Sequence, residues 1–280
     1  NMGRPQTALT LKDAVDMLTD ALGPDHPHTL TARSNLAAAY QDAGHVSTAI
    51  DIHQALLTDR TRILGPDDPD TLTTRSNLAG VHLEAGHVST AIAMYEALLT
   101  DRTRILGPDD PDTLTTRSNL AAAHLEAGHL STAIDMYKTL LTDETRILGP
   151  NHPDILTARN NLAYAHQEAG HVSTAIAMFE DVLTDRARIL GPDHPDTLTT
   201  RGNLAIAHQE AGRLSKAIAM YEALLADRAR ILGPDHPRTL TVRNNLAAAH
   251  LEAGHLSTAI AMHQALLTDR TRLLGPSHPH

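Results

Sequence analysis

A Leu-Gly-Pro tripeptide recurs with its glycine at 23, 65, 107, 149, 191, 233 and 275, a spacing of 42 residues every time. Asn-Leu-Ala keeps the same period, with its leucine at 36, 78, 120, 162, 204 and 246. No insertion or deletion interrupts either series. Self-similarity at a fixed period means that one supersecondary unit is used repeatedly, each copy stacking on its neighbours. This feature limits the fold more than any single motif does.

Glycine and proline divide each period into two helices. Every proline except Pro5 falls in a Gly-Pro-x-x-Pro linker. The linker glycine is expected to form a left-handed helix cap, and the following proline prevents continuation. The second proline, such as Pro111, suits a first helical turn, and Asp112 complements the positive end of that helix. The first helix of this repeat is predicted over about 111–127, ended by Gly128. The second is predicted over about 131–148, with Ser131 as its cap. In that stretch Ala133, Ile134, Tyr137, Leu140, Leu141, Ile147 and Leu148 follow a helical period, and no strand pattern appears anywhere. Helix pairs of this kind bury their apolar faces only by stacking, so the predicted fold class is an all-α, right-handed α-solenoid of six helix-turn-helix repeats.

The expected organisation is an N-terminal segment at 1–27 (a tag remnant and a cap helix at about 7–22), then the solenoid at 28–274. Its repeats cover about 28–69, 70–111, 112–153, 154–195, 196–237 and 238–274. Residues 275–280 read as the start of a truncated further repeat, so the chain reads as a fragment of a larger protein.

Composition excludes several function classes. The formal net charge is −10 and no basic cluster is present, which argues against nucleic acid, whose binding relies on Lys and Arg neutralising phosphates. The chain has no cysteine, so disulfides, Cys-ligated zinc and thiol catalysis are absent. No apolar run is long enough to span a bilayer. The expectation is a soluble, cytoplasmic chain with no membrane association.

The residues Asn119-Leu120-Ala121, His124, Ala127-Gly128, Ala133 and Tyr137 resemble the tetratricopeptide repeat (TPR) signature. The 42-residue period and the Leu-Gly-Pro-Asp-Asp/His-Pro linker resemble the long repeats of kinesin light chains. They are also similar to TPR arrays of actinobacterial signalling ATPases of the NB-ARC/STAND type. The chain departs from the pattern at Arg33, Arg75, Arg117, Arg159, Arg201 and Arg243, where an aromatic is usual, and in the histidines that replace the usual tyrosine from His82 onward.

No P-loop, nucleophile elbow or His-Glu-x-x-His pair occurs. The histidines form ladders on first helices (His124), in turns (His129) and in linkers (His194). Ladders separate identical groups by a repeat, so neither a catalytic site nor a metal site is expected, no cofactor is implied, and packing and capping are the reading for His. The Arg ladder is expected to form structural ion pairs with Asp59, Asp101, Asp143, Asp185, Asp227 and Asp269.

One polar stripe remains on the first helices. In repeat four it reads Thr157, Asn161, Tyr164, Glu168, spaced to share one helical face. Asn35, Asn77, Asn119, Asn161, Asn203 and Asn245 occupy it in turn. An acid ends it in every repeat, Glu168 and Glu210 among them. The resemblance implies that this stripe lines a concave groove. Asparagine offers both donors and an acceptor to an extended peptide. Tyr164 and Ile206 stand where other repeats carry Ala or Gly, which suggests a side-chain pocket. The expected function is therefore protein or peptide binding through the groove, with neutral or basic partners preferred, as a scaffold or sensor segment of a larger bacterial signalling protein. The alternative is self-association into a homo-oligomer through the exposed solenoid end or the convex face.

Overall fold

A computed structural model describes residues 3–149 and 152–274. The expected tag remnant at 1–2 and the start of a further repeat at 275–280 lie outside the described residues. Among those described there are thirteen α-helices and no strand. They form two compact units that meet in sequence at Met136 and Tyr137.

The first unit contains α1 (Gly3–Leu22), α2 (Pro27–Asp42), α3 (Val46–Leu64), α4 (Pro69–Glu84), α5 (Val88–Ile105) and α6 (Pro111–Glu126). The unit boundary falls within α7 (Leu130–Leu148). The second unit continues with α8 (Pro153–Glu168), α9 (Val172–Ile189), α10 (Pro195–Glu210), α11 (Leu214–Leu232), α12 (Pro237–Glu252) and α13 (Leu256–Leu274). In each unit a helix packs on the next in sequence, and first helices of successive repeats also touch: α4 with α6, α8 with α10, α10 with α12. This nearest-neighbour packing defines an α-solenoid. The cap helix begins earlier than its predicted start at about residue 7.

The helix starts follow from the linkers. Proline sits in the first turn of α2, α4, α6, α8, α10 and α12. The preceding residue is the N-cap: Asp68 and Asp110 accept through a carboxylate, while His26, His152, His194 and His236 accept through Nδ1. Linker histidines thus do the capping expected of them. Two local expectations are corrected. Gly65 has φ 95° and ψ 164°, so the linker turn uses an extended positive-φ conformation rather than the left-handed helical one. Ser131 is no cap; it lies inside α7, which starts at Leu130. The short turn between paired helices instead puts His45, His87, His171 and Arg213 at the caps of α3, α5, α9 and α11, with no side-chain cap bond.

One ring per inner repeat pins three helices. Tyr95 of α5 packs with Leu72 and Ala79 of α4 and with Leu120 and Ala123 of α6. Phe179 of α9 does the same with Ala163 of α8 and Leu204 and Ala207 of α10. Tyr221 of α11 lies among Ala205, Leu224, Leu246 and Ala249. Alanine opposite each ring permits close helix approach, so few aromatics suffice. Burying each ring stabilises by roughly 1.5–3 kcal/mol. Tyr40, which stands on α2 in the register of His82, is only half-buried.

Polar ladders recur along the chain, the first within repeats and the others across linkers. Arg33, Arg75, Arg159, Arg201 and Arg243 each place Nη1 2.6–2.7 Å from the expected Asp partner on the second helix. A second ladder was not foreseen. Arg60, Arg102 and Arg186 are buried, and each donates from Nη1 to a backbone carbonyl and a threonine hydroxyl at the start of the next first helix. A third runs from linker aspartates to the following second helix, as in Arg62–Asp25 and Arg104–Asp67.

Candidate functional site

The first helices turn their apolar residues inward and leave the polar stripe outside. In α8, Ile155, Leu156, Leu162, Ala163 and Ala165 are buried, while Thr157, Tyr164 and Glu168 are exposed and Asn161 is half-buried. The other rungs follow: Asn35 and Asn77 are exposed, and Asn119, Asn203 and Asn245 are half-buried. None of the six Asn side chains has a hydrogen-bond partner among the described residues, so their donors and acceptors face solvent.

The acids at the end of the stripe are partly engaged. Gln41 Nε2 donates to Glu84 Oε2 at 2.6 Å, Gln167 Nε2 to Glu210 Oε1 at 2.8 Å, and Gln209 Nε2 to Glu252 Oε1 at 2.6 Å. Each bond ties the last turn of one first helix to that of the next within a unit. A carboxylate holding one amide retains lone pairs for a further donor, so Glu210 stays available to a cationic group. Tyr164 is 39% exposed and projects from α8. Ile206 is different: its side chain is half-buried against the cluster of Leu198, Tyr221 and Leu246. Of the two residues expected to form a pocket, one therefore projects from its helix and the other packs against the core. A methyl group at Gly202, which precedes Asn203, would meet Leu224 Cδ2 at 3.5 Å.

The turn after each first helix brings together residues that the sequence reading kept apart. In α4 the His87 amide bonds the His82 carbonyl at 2.9 Å and the Gly86 amide bonds Leu83, with Gly86 at φ 76°. This is a Schellman ending, in which the residue after the glycine folds back onto the last helical turn. The imidazoles of His82 and His87 consequently meet, Nδ1 to Nδ1, at 3.2 Å. His124–His129, His166–His171 and His250–His255 repeat the pair at 3.1, 3.2 and 3.0 Å. Burial holds the His82 and His166 pKa values below the usual imidazole range. The second ring adds to both shifts, and Lys138 adds to that of His166. In repeat five Arg213 replaces the turn histidine, and His208 is wholly buried with neither ring nitrogen hydrogen-bonded. Burial, Lys216 and Arg213 push its pKa down, against Glu180, whose Oε1 lies 3.8 Å from Nε2. No group of three or more His, Asp or Glu arranged to hold a metal ion occurs among the described residues.

A depression of about 550 Å³ lies between α3 and α5, lined by Leu57, Arg75, Thr90, Met94 and Ala97. None of its lining residues belongs to the Asn stripe. No helix of the described residues is long and apolar enough to cross a membrane.

Helix pairs of this length, started by proline linkers and pinned by one ring per inner repeat, define a repeat protein of the helix-turn-helix solenoid class. The tetratricopeptide repeat family model matches residues 89–143, 174–229 and 216–272, and a second tetratricopeptide repeat model matches 29–70. The chain belongs to the tetratricopeptide repeat family. Among solved structures it is similar to a putative kinesin light chain of nearly identical TPR-like repeats from Podosopora anserina. The two are 24% identical, with 74% of this chain and 97% of that one covered and a TM-score of 0.62. BtubC (BKLC) from P. vanneervenii is 21% identical over 84% of this chain and 94% of that one, with a TM-score of 0.65. A tetratricopeptide repeat protein from Parabacteroides merdae is 18% identical over 86% and 79%, with a TM-score of 0.54. These likenesses establish the kinesin-light-chain-like repeat fold. No curated protein sequence matches the chain.

Proposed function

We propose that the chain binds an extended protein segment along the Asn stripe of its first helices, as the recognition segment of a larger signalling protein. The TPR fold generally mediates protein–protein interaction, which supports the coarse reading. The observation that carries the finer one is the exposed or half-buried Asn side chains, three in each unit, with no protein partner. Each offers an amide donor pair and a carbonyl acceptor to a peptide backbone. Tyr164 supplies an anchor for one side chain above the Ile206 floor. The acids at the stripe's end favour a neutral or basic segment over an acidic one, with affinity falling as salt rises.

A peptide-display selection on the wild type and on Tyr164→Ala, followed by titration of the enriched sequences, tests this. Asn161→Ala and Asn203→Ala are expected to weaken binding by about 0.5–1.5 kcal/mol each. Tyr164→Ala is expected to cost about 2 kcal/mol. Acidic winners, or equal binding by both proteins, would overturn the assignment.

A second reading rests on α12 and α13, where Leu251, Leu256, Ile260 and Leu267 are 49–58% exposed. Such a patch favours association with another apolar face, including that of a second copy. Light scattering across a concentration series separates the two readings: a strictly monomeric chain that binds peptide leaves only the first.

A further inference from the structure

The Schellman ending of the first helices builds a feature unrelated to the Asn stripe. Four times, two imidazoles face each other through Nδ1 at 3.0–3.2 Å: His82–His87, His124–His129, His166–His171 and His250–His255. We propose that each pair is a chelating site for a borderline divalent transition-metal ion, Cu²⁺ in preference to Zn²⁺, held by the two Nδ1 atoms with water completing the shell.

The spacing fits the chemistry. Imidazole nitrogen binds such ions at about 2.0–2.1 Å, so two nitrogens on one ion stand roughly 2.9 Å apart at a right angle and about 3.3 Å apart at the tetrahedral angle. All four pairs lie between those limits. As a hydrogen-bonded pair, one ring presents its proton to the other. Moving that proton to Nε2 frees both Nδ1 lone pairs without a change of charge. Ring centroids stand 5.3–5.5 Å apart with planes tilted 43–49°, so a small turn of each ring about its Cβ–Cγ bond aims both lone pairs at one ion. The backbone holds the pair in register through the amide–carbonyl bond of the same two residues, 2.9 Å in each copy. Entry is open, because His87, His129, His171 and His255 are exposed. Imidazole suits copper and zinc, and the divalent order favours copper at a nitrogen site.

The rest of the chain supplies internal controls. Linker histidines such as His194 use Nδ1 to cap a helix, which leaves only one nitrogen for an ion. Repeat one pairs Tyr40 with His45, and repeat five pairs His208 with Arg213. His166–His171 lies near the ammonium of Lys138 and is expected to be the weakest of the four.

The test is equilibrium dialysis of the 280-residue chain against Cu²⁺ at pH 7.5, read together with the electron paramagnetic resonance of bound copper. The wild type is compared with a quadruple variant (His87→Gln, His129→Gln, His171→Gln, His255→Gln) and with Arg213→His. The variants are expected to keep the wild-type far-UV spectrum, since these side chains are exposed and an arginine already serves at 213. The quadruple variant is expected to lose four tightly bound ions and the spectral signature of paired nitrogen ligands. Arg213→His is expected to add one ion by completing a pair with His208. Retention of the tight ions by the quadruple variant, or no added ion in Arg213→His, overturns the proposal.

Discussion

The Tyr221 hydroxyl donates to Gln209 Oε1 at 3.1 Å, and Gln209 Nε2 in turn donates to Glu252 Oε1. One repeat earlier, Gln167 makes the same bond to Glu210, but the ring in the register of Tyr221 is Phe179. Gln167 Oε1 is buried there without a donor. Phe179→Tyr is expected to stabilise the protein by about 0.5–1.5 kcal/mol by supplying that donor, and Tyr221→Phe to destabilise it by a similar amount. Urea midpoints of the two variants check the pair of signs.

The two glycines inside first helices are expected to respond differently to alanine. At Gly202 the added methyl meets Leu224 at an ordinary contact distance of 3.5 Å. Gly202→Ala is therefore expected to gain about 0.5–1 kcal/mol of helix propensity. At Gly80 the methyl meets Tyr95 Oη at 3.3 Å, so the hydroxyl must shift and the gain shrinks or reverses. Thermal melts of both single variants, compared with wild type, decide the order.

The buried arginine ladder is expected to matter more than the exposed ion pairs. Arg102 is 3% exposed and donates to the Asp112 carbonyl and the Thr116 hydroxyl, both at 2.9 Å. Arg102→Ala removes a charged donor from a buried hydroxyl and a part-buried carbonyl and is expected to cost about 2–3 kcal/mol. Arg62→Ala breaks an ion pair that lies in solvent and is expected to matter far less, the more so at high salt. Repeat three has Glu144 in this register, and the following first helix has Ala158 where Thr74, Thr116 and Thr200 stand. The double variant Glu144→Arg, Ala158→Thr is expected to raise the denaturation midpoint by installing the same clamp.

Acid is expected to weaken the array below neutral pH. Burial lowers the folded pKa of His53, His82, His166 and His208 below the ordinary imidazole value. Facing groups reinforce this at each: Arg60 at His53, His87 at His82, Lys138 and His171 at His166, and Lys216 and Arg213 at His208, where Glu180 opposes. The unfolded chain then binds more protons, so this stability is complete above about pH 6.5 and declines as pH falls toward the folded values. A lower urea midpoint at pH 5 than at pH 7 is the expected result, and His208→Gln is expected to reduce the difference. Asp101, Asp185 and Asp227, held down mainly by hydrogen bonds from Arg75, Arg159 and Arg201, add a further loss only below about pH 4.

The fold was legible because its determinants are local and periodic. Pro111 and Gly128 bound α6 by backbone restriction alone, and Arg75 with Asp101 could be paired from a fixed separation of 26 residues. The His82–His87 contact was not found because a continued helix points residues five apart in different directions. The chain does not continue as a helix there: Gly86 folds His87 back onto His82. The signal was a glycine between two histidines at a helix end, and it was present in the sequence. Ser131 misled for the converse reason, since serine is a favoured cap but the turn hands His129 straight into α7. The Gln167–Glu210 bond joins two helices whose mutual placement no single-helix pattern contains. Of the site, the Asn stripe was readable from spacing, whereas the half-buried position of Ile206 depends on Tyr221 and Leu246 from two other helices.

In the first unit the three ladders use the same partners at the same offsets, so the junctions on either side of repeat two are interchangeable. Removal of residues 66–107 takes out Arg104 together with Asp67 and Arg75 together with Asp101, leaving no widowed charge from either pair. Arg60 then reaches Asp112 and Thr116 in place of Asp70 and Thr74, and Gln41 reaches Glu126 in place of Glu84. Length here is thus free to change by one period while the new junction keeps the chemistry of the old, whereas loss of a single residue leaves each bond on one side of the cut out of phase with its partner on the other.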